Sequence, residues 1–204
     1  MPLSVDQVHD VAAAMPEHVR AAVVTVAGTG LRQGELFGLC VDRVDFLGRE
    51  LRVDQQLWSP RRGPAVLRPP KSRNSFRTVA LSSVEVDALA AHIGAFGPGR
   101  DGLVFHLEGR PIVRAQGGKY ARKAAASAEL EGFGWHDLRH HHASLLLSRG
   151  ISPALVAERL GHDIKTLLRT YAHVIRSDED KVRPVVDATL GQTAEDWLRT
   201  EGVS

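Results

Sequence analysis

The chain has 204 residues, 43% of them hydrophobic and 25% charged, with a formal net charge of +2 at pH 7. That is enough apolar material for one compact domain and too much for a disordered chain, while so small a charge establishes no nucleic-acid partner by itself. Cys40 is the single cysteine, which excludes an intramolecular disulfide, and the sequence has neither an apolar run of membrane-spanning length nor a secretory signal at its start, so a cytoplasmic location is expected.

Ser4-Val5-Asp6-Gln7 has the form of a capping box and predicts a helix running to about Met15. A second apolar segment, His18 to Ala27, stops at Gly28-Thr29-Gly30. Leu31 to Leu39 then reads as a short helix carrying Arg32 and Glu35 on neighbouring turns. Arg49 to Trp58, Pro64 to Arg68 and Phe76 to Leu81 alternate like the strands of one small antiparallel sheet. Ser82-Ser83-Val84-Glu85 is another capping box, and the remainder reads as mostly helical apart from a Gly/Pro-rich loop at Gly94 to Gly102. Helices are predicted at Ala115 to Glu129, His136 to Ser148, Pro153 to Leu160 and Ile164 to His173, then at 179–190 and 194–200, with Gly150 and Gly161 as stops. The expected fold class is mainly α with a small antiparallel β-sheet.

Charge is unevenly spread. Arg61, Arg62, Arg68, Lys71, Arg73 and Arg77 lie together with no acid among them, and so do Arg110, Arg114, Lys119, Arg122 and Lys123. Such segments suit a phosphate-neutralising surface, with Arg61, Arg62, Arg68, Arg73, Arg77, Lys119 and Arg122 as DNA-binding candidates; a solvated Arg-rich face is the competing reading.

Tyr171 alone would be an ordinary helical tyrosine. Farther up the chain, His136-Asp137-Leu138-Arg139 puts an imidazole and a guanidinium on one helical face, Leu160-Gly161-His162 lies nine residues before the tyrosine, and Thr29-Gly30-Leu31-Arg32-Gln33-Gly34-Glu35-Leu36 lies far upstream. The order Arg32, Lys71, His136, Arg139, His162, Tyr171 resembles the active-site signature of the tyrosine recombinases, or phage integrases, over roughly Leu3 to Val186. Two positions depart from it: His141 stands where threonine is common, and Phe76 where a basic residue is.

The resemblance implies a DNA breaking-rejoining catalytic domain at 1–186 and a tail at 187–204, with an N-terminal core-binding domain lying outside the chain. Tyr171 would attack a phosphodiester, Arg32 and Arg139 would clamp the non-bridging oxygens, and His136 would take the phenolic proton. Lys71, on a flexible β-hairpin, would protonate the leaving 5′ oxygen, and His162 would donate a hydrogen bond to the phosphate. Glu35 would orient Arg32 or its neighbours, against the plainer reading of a surface ion pair. No cofactor or metal is implied. The implied partners are double-stranded DNA attachment sites, three further copies in a homotetramer on synapsed DNA, and a directionality or host architectural factor; the isolated domain is expected to be a monomer.

Three other readings compete. His136, His140, His141 and His142 could form a zinc site, although no His-Glu-x-x-His or paired cysteines accompany them, and the resemblance gives His140 a packing role. A non-catalytic DNA-binding module could use Leu155 to Tyr171 as a helix-turn-helix. A type IB topoisomerase would share the tyrosine chemistry. Finally, Val182, Val185, Val186, Leu190, Trp197 and Leu198 form an apolar stripe expected to act between protomers.

Overall fold

The computed structural model describes residues 2–60, 62–176 and 182–198. Helix α1 (Val5–Ala14) starts at the predicted capping box: the Gln7 N–H donates to Ser4 Oγ at 3.1 Å and the Ser4 N–H to Gln7 Oε1 at 2.8 Å. Helix α2 (Glu17–Thr29) buries Val19, Ala22, Val23 and Val26 completely and packs against α1, α4 (Ser83–Phe96) and α6 (Trp135–Ser148). It ends at Gly30, whose φ of +69° suits a residue without Cβ; an added Cβ would also lie 2.5 Å from Leu160 Cδ2. Short α3 (Gln33–Phe37) follows, with Arg32 at its N-cap.

The strands do not form the single sheet expected. β1 (Val44–Asp45), β2 (Glu50–Val53) and β5 (Arg77–Ala80) make one antiparallel sheet in the order β1-β2-β5, while β3 (Gln56–Trp58) and β4 (Val66–Arg68) pair separately as a hairpin. Non-helical residues 54 and 55 divide the predicted first strand, so its two halves join different sheets. A second hairpin, β6 (His106–Leu107) with β7 (Arg110–Pro111), lies in a stretch for which no strand was expected; Gly109, at φ +76°, forms its turn.

Helices α5 (Arg114–Ser127), α6, α7 (Pro153–Leu160) and α8 (Ile164–Arg176) follow the predicted pattern closely. Instead of two tail helices there is one, α9 (Val182–Leu198), so the expected boundary at 186 falls inside it. Val182, Val185, Val186 and Leu190 are 44–64% exposed, while the side chains of Trp197 and Leu198 lie outside the described residues. The core falls into two clusters: a large one reaches from Val8 to Leu138, and a smaller one joins Ala143 and Leu147 of α6 to Val156, Leu160, Leu167 and Tyr171. Arg139 sits on α6 where one cluster gives way to the other.

Candidate active site

The site begins at the N-terminus of α3. The Arg32 N–H donates to Glu35 Oε2 at 2.9 Å, and Arg32 Nη1 donates to Glu35 Oε1 at 2.7 Å. The other side of the same carboxylate is gripped by Arg77, Nη2 to Oε2 at 2.8 Å and Nη1 to Oε1 at 3.3 Å. With the Glu35 and Arg77 side chains only 3% and 4% exposed, this is no surface ion pair. Arg77, a DNA-binding candidate by sequence, is placed by β5 on the face of the buried Val79, where its guanidinium is engaged by Glu35 and supports the site. Burial pushes the Glu35 carboxyl up, but Arg77 and Arg32 outweigh it and hold the group below the usual carboxylate range.

The C-terminus of α7 gathers the arginines. Ser152 caps the start of this helix, Pro153 opens its first turn, and Gly161 closes it at φ +64°. Its last carbonyls have no partners within the helix and sit at the negative end of the dipole, so cations are favoured there. Three guanidiniums take three successive carbonyls: Arg77 Nε donates to Arg159 O at 2.7 Å, Arg139 Nη2 to Leu160 O at 2.7 Å, and Arg32 Nη2 to Gly161 O at 2.9 Å. Arg139 Nη1 also donates to Gly30 O at 2.6 Å, tying α6 to the end of α2. Gly161 is packed tightly enough that a Cβ would come within 2.8 Å of Asn74 O, which presses the segment after Lys71 against the same point.

Arg139 is 1% exposed, and burial with the neighbouring Arg32 pushes its guanidinium down to about 9, still charged at neutral pH. Its Nε and the Nδ1 of His162 are buried and make no hydrogen bond among the described residues. Burial, then Arg139 and Arg32, pushes His162 down to about 4. Positive groups crowding a neutral histidine and an unpartnered guanidinium N–H together suit a bound anion.

Tyr171 lies at a kink in α8, φ −112° and ψ 18°, and its ring joins the smaller core cluster. Its Oη is 2.7 Å from Nδ1 of His140, the histidine for which only packing was expected. His136 faces His140 edge-on with ring centroids 4.4 Å apart. Burial raises the phenol and Arg139 partly counters it. The remaining histidines face elsewhere: His141 Nδ1 lies 2.7 Å from Leu3 O and His142 Nδ1 2.9 Å from Ala27 O. Among the described residues no group of three His, Cys, Asp or Glu side chains could hold a metal ion.

Lys71 is not on the hairpin itself. It follows β4 past two prolines, in the segment leading to the Arg73–Ser75 turn. Even so, Lys71, Arg32 and His136 line one cleft of about 470 Å³, with Trp58 and Trp135 on its walls. Ser75 Oγ, 3.4 Å from Arg32 Nη1, links this segment to the clamp. Arg62, Arg68, Arg73, Lys119 and Arg122 are exposed, Arg68 lying over the Trp58 ring at 3.8 Å, while Arg61 lies outside the described residues.

Arg159 Nε donates to His142 Nε2 at 3.1 Å, so the imidazole is neutral and its Nδ1–H donates to Ala27 O. Burial first, then Arg159, pushes His142 down to about 4. A histidine whose folded pKa lies below its unfolded value of about 6.5 favours the fold while neutral: its contribution is complete above about 6.5 and lost as the pH falls towards about 4. His142 and His162 both act in that window, so the urea midpoint should fall across it. It should fall less in His142→Asn, whose amide still donates to Ala27 O without titrating; an equal fall in both proteins would rule out His142 as a source.

Residues 3–177 match the phage integrase family. The chain is 31% identical to a protein named tyrosine recombinase XerC-like from Caldanaerobacter subterraneus subsp. tengcongensis, over 77% of this chain and 46% of that one. It is 29% identical to the integrase of Staphylococcus phage L54a, over 76% of this chain and 48% of that one. The chain thus spans about half the length of the curated relatives it matches. The integrase of transposon Tn1549, solved in complex with circular intermediate DNA, superposes with a TM-score of 0.75 at 22% identity, covering 89% of this chain and 67% of that one. XerA recombinase does so with a TM-score of 0.66 at 20% identity, covering 93% and 63%. At these identities the two structures speak for the fold alone.

Proposed function

The chain belongs to the phage integrase family, and from that premise we propose that it is the catalytic domain of a site-specific DNA recombinase, cutting and rejoining strands through a 3′-phosphotyrosine on Tyr171. The observation that carries this reading is the arginine cluster: Arg139 and Arg32 rest on the successive carbonyls of Leu160 and Gly161 at the C-terminal end of α7, with Arg139 Nε and His162 Nδ1 buried beside them and without hydrogen-bond partners among the described residues. Attack builds charge on the non-bridging oxygens of phosphorus, and fixed guanidiniums stabilise that charge without reorganising. The bond energy stays in the phosphotyrosine, so neither a nucleotide nor a metal is required.

Lys71 protonates the leaving 5′ oxygen from the cleft it shares with Arg32 and His136, and the exposed Arg62, Arg68, Arg73, Lys119 and Arg122 meet the DNA backbone. The substrate is a duplex attachment site in the cytoplasm. Four copies assemble on two synapsed sites, with a directionality or architectural factor as further partner, and the exposed stripe of α9 is offered to the neighbouring copy. The same chemistry serves a type IB topoisomerase, but the integrase and recombinase relatives favour recombination.

The test starts from a pool of nicked duplexes with randomised sequence beside the nick, from which the chain is expected to select members that become covalently attached at Tyr171. No adduct from the pool, or an adduct at another residue, would refute the proposal. On a selected duplex Lys71→Ala should be slowed by about 10²-fold or more, the range of general acid catalysis. It should recover when sulfur replaces the 5′ bridging oxygen, because a thiolate leaves without a proton. Equal impairment on both substrates would refute the acid role.

A further inference from the structure

Tyr171 must lose its proton as Oη attacks, and the surrounding arginines cannot take it. Nδ1 of His140, 2.7 Å from Oη, is the group in hydrogen-bonding reach. Among the described residues His136, the base expected from the sequence, makes no hydrogen bond to the phenol; it stands edge-on to His140 and lines the cleft with Arg32 and Lys71. The backbone explains the division. Positions 136 and 140 share one face of α6, one turn apart, and the kink at Tyr171 carries its ring to the later of the two.

We propose that His140 is the general base of the reaction, taking the Tyr171 proton on Nδ1 while it holds the phenol in place. This rests on the phosphotyrosine reading above. As the bond from Oη to phosphorus forms, the proton passes from Oη to Nδ1, the bond from phosphorus to the 5′ oxygen breaks, and that oxygen takes a proton from Lys71. Rejoining reverses each transfer, so atoms and charges balance without a further reactant. His136 is left to serve the phosphate.

A base must be neutral before the step. Burial lowers His140, Asp137 partly opposes this and Arg139 adds to it. The groups facing it are Asp137, Arg139 and His136 of its own helix and Tyr171 of α8.

Two experiments separate this proposal from the reading beneath it. The first needs no DNA: nitrogen-15 NMR of the full chain should find His140 with Nδ1 bare and the proton on Nε2, and a proton on Nδ1 would overturn the base role. The second compares His140→Asn and His140→Phe on a duplex selected by the wild type. Asparagine sets Oδ1 where Nδ1 stood, so it keeps the hydrogen bond but cannot take a proton; phenylalanine keeps only the packing. Both should form adduct at least about 10²-fold more slowly. The Asn rate should keep climbing with pH where the wild type levels off, and gel-shift affinity should be unchanged. Wild-type rates in His140→Asn would overturn the proposal, as would loss of the pH dependence in His136→Asn alone. If the wild type formed no Tyr171 adduct, the phosphotyrosine reading would fall, and the NMR result would still decide whether His140 can accept the proton.

Discussion

Tyr171→Phe is expected to abolish the covalent DNA adduct, a loss of about 10⁵-fold or more, the scale seen when a covalent catalyst loses its nucleophile. Fold and DNA affinity should survive. The ring packs with Leu147, Leu160 and Leu167 and is only 3% exposed, and phenylalanine keeps all of that surface. What disappears is one oxygen and its contact with His140 Nδ1. His140 is only half-buried, so leaving its Nδ1 without a donor costs less than the roughly 1–3 kcal/mol of a fully buried group, and removing the buried hydroxyl offsets part of that. Denaturing gels of a nicked selected duplex read the chemistry, gel shifts the binding and urea unfolding the stability. A phenylalanine protein that still forms the adduct would mean that another residue is the nucleophile.

Glu35→Gln should have the largest effect on stability, about 3–5 kcal/mol, because it strips one partner from a buried ion pair. Arg32 and Arg77 both depend on that carboxylate, and Arg139 adds a third positive charge at the end of α7. Glutamine cannot balance them, so the clamp should loosen and adduct formation should fall with the fold. An exposed pair would contribute only about 0–1 kcal/mol, which makes the magnitude decisive. The pH dependence has a definite sign. Glu35 is held below its ordinary value, so its contribution is present above the usual carboxylate range and is lost as the pH falls through the lowered one. A urea-derived loss under about 1 kcal/mol would remove Glu35 from the centre of the site.

Local patterns settled much in advance. The capping boxes at Ser4 and Ser82 mark where α1 and α4 begin, and the stop at Gly161 marks where α7 ends, because caps depend on residues three or four apart. The His136, Arg139 spacing likewise fixed a shared helical face. Arg77 could also have been placed: alternation from Phe76 to Leu81 puts it on the face of the buried Val79, but its lack of acidic neighbours in sequence suggested DNA instead. Its acid, Glu35, lies 42 residues away.

By itself, then, the sequence determined the helical class, most helix ends and the identity of the polar residues, all of which follow from short-range periodicity and side-chain type. Only the tertiary structure decided how those residues meet. The split of the strands into separate sheets, the turning of Arg77 inward and the choice of His140 over His136 beside Tyr171 depend on which surfaces pack. The same holds for the three arginines on the carbonyls of Arg159, Leu160 and Gly161: a helix end offers acceptors wherever it falls, but bringing guanidiniums to them from positions 32, 77 and 139 requires the whole core to close around α7.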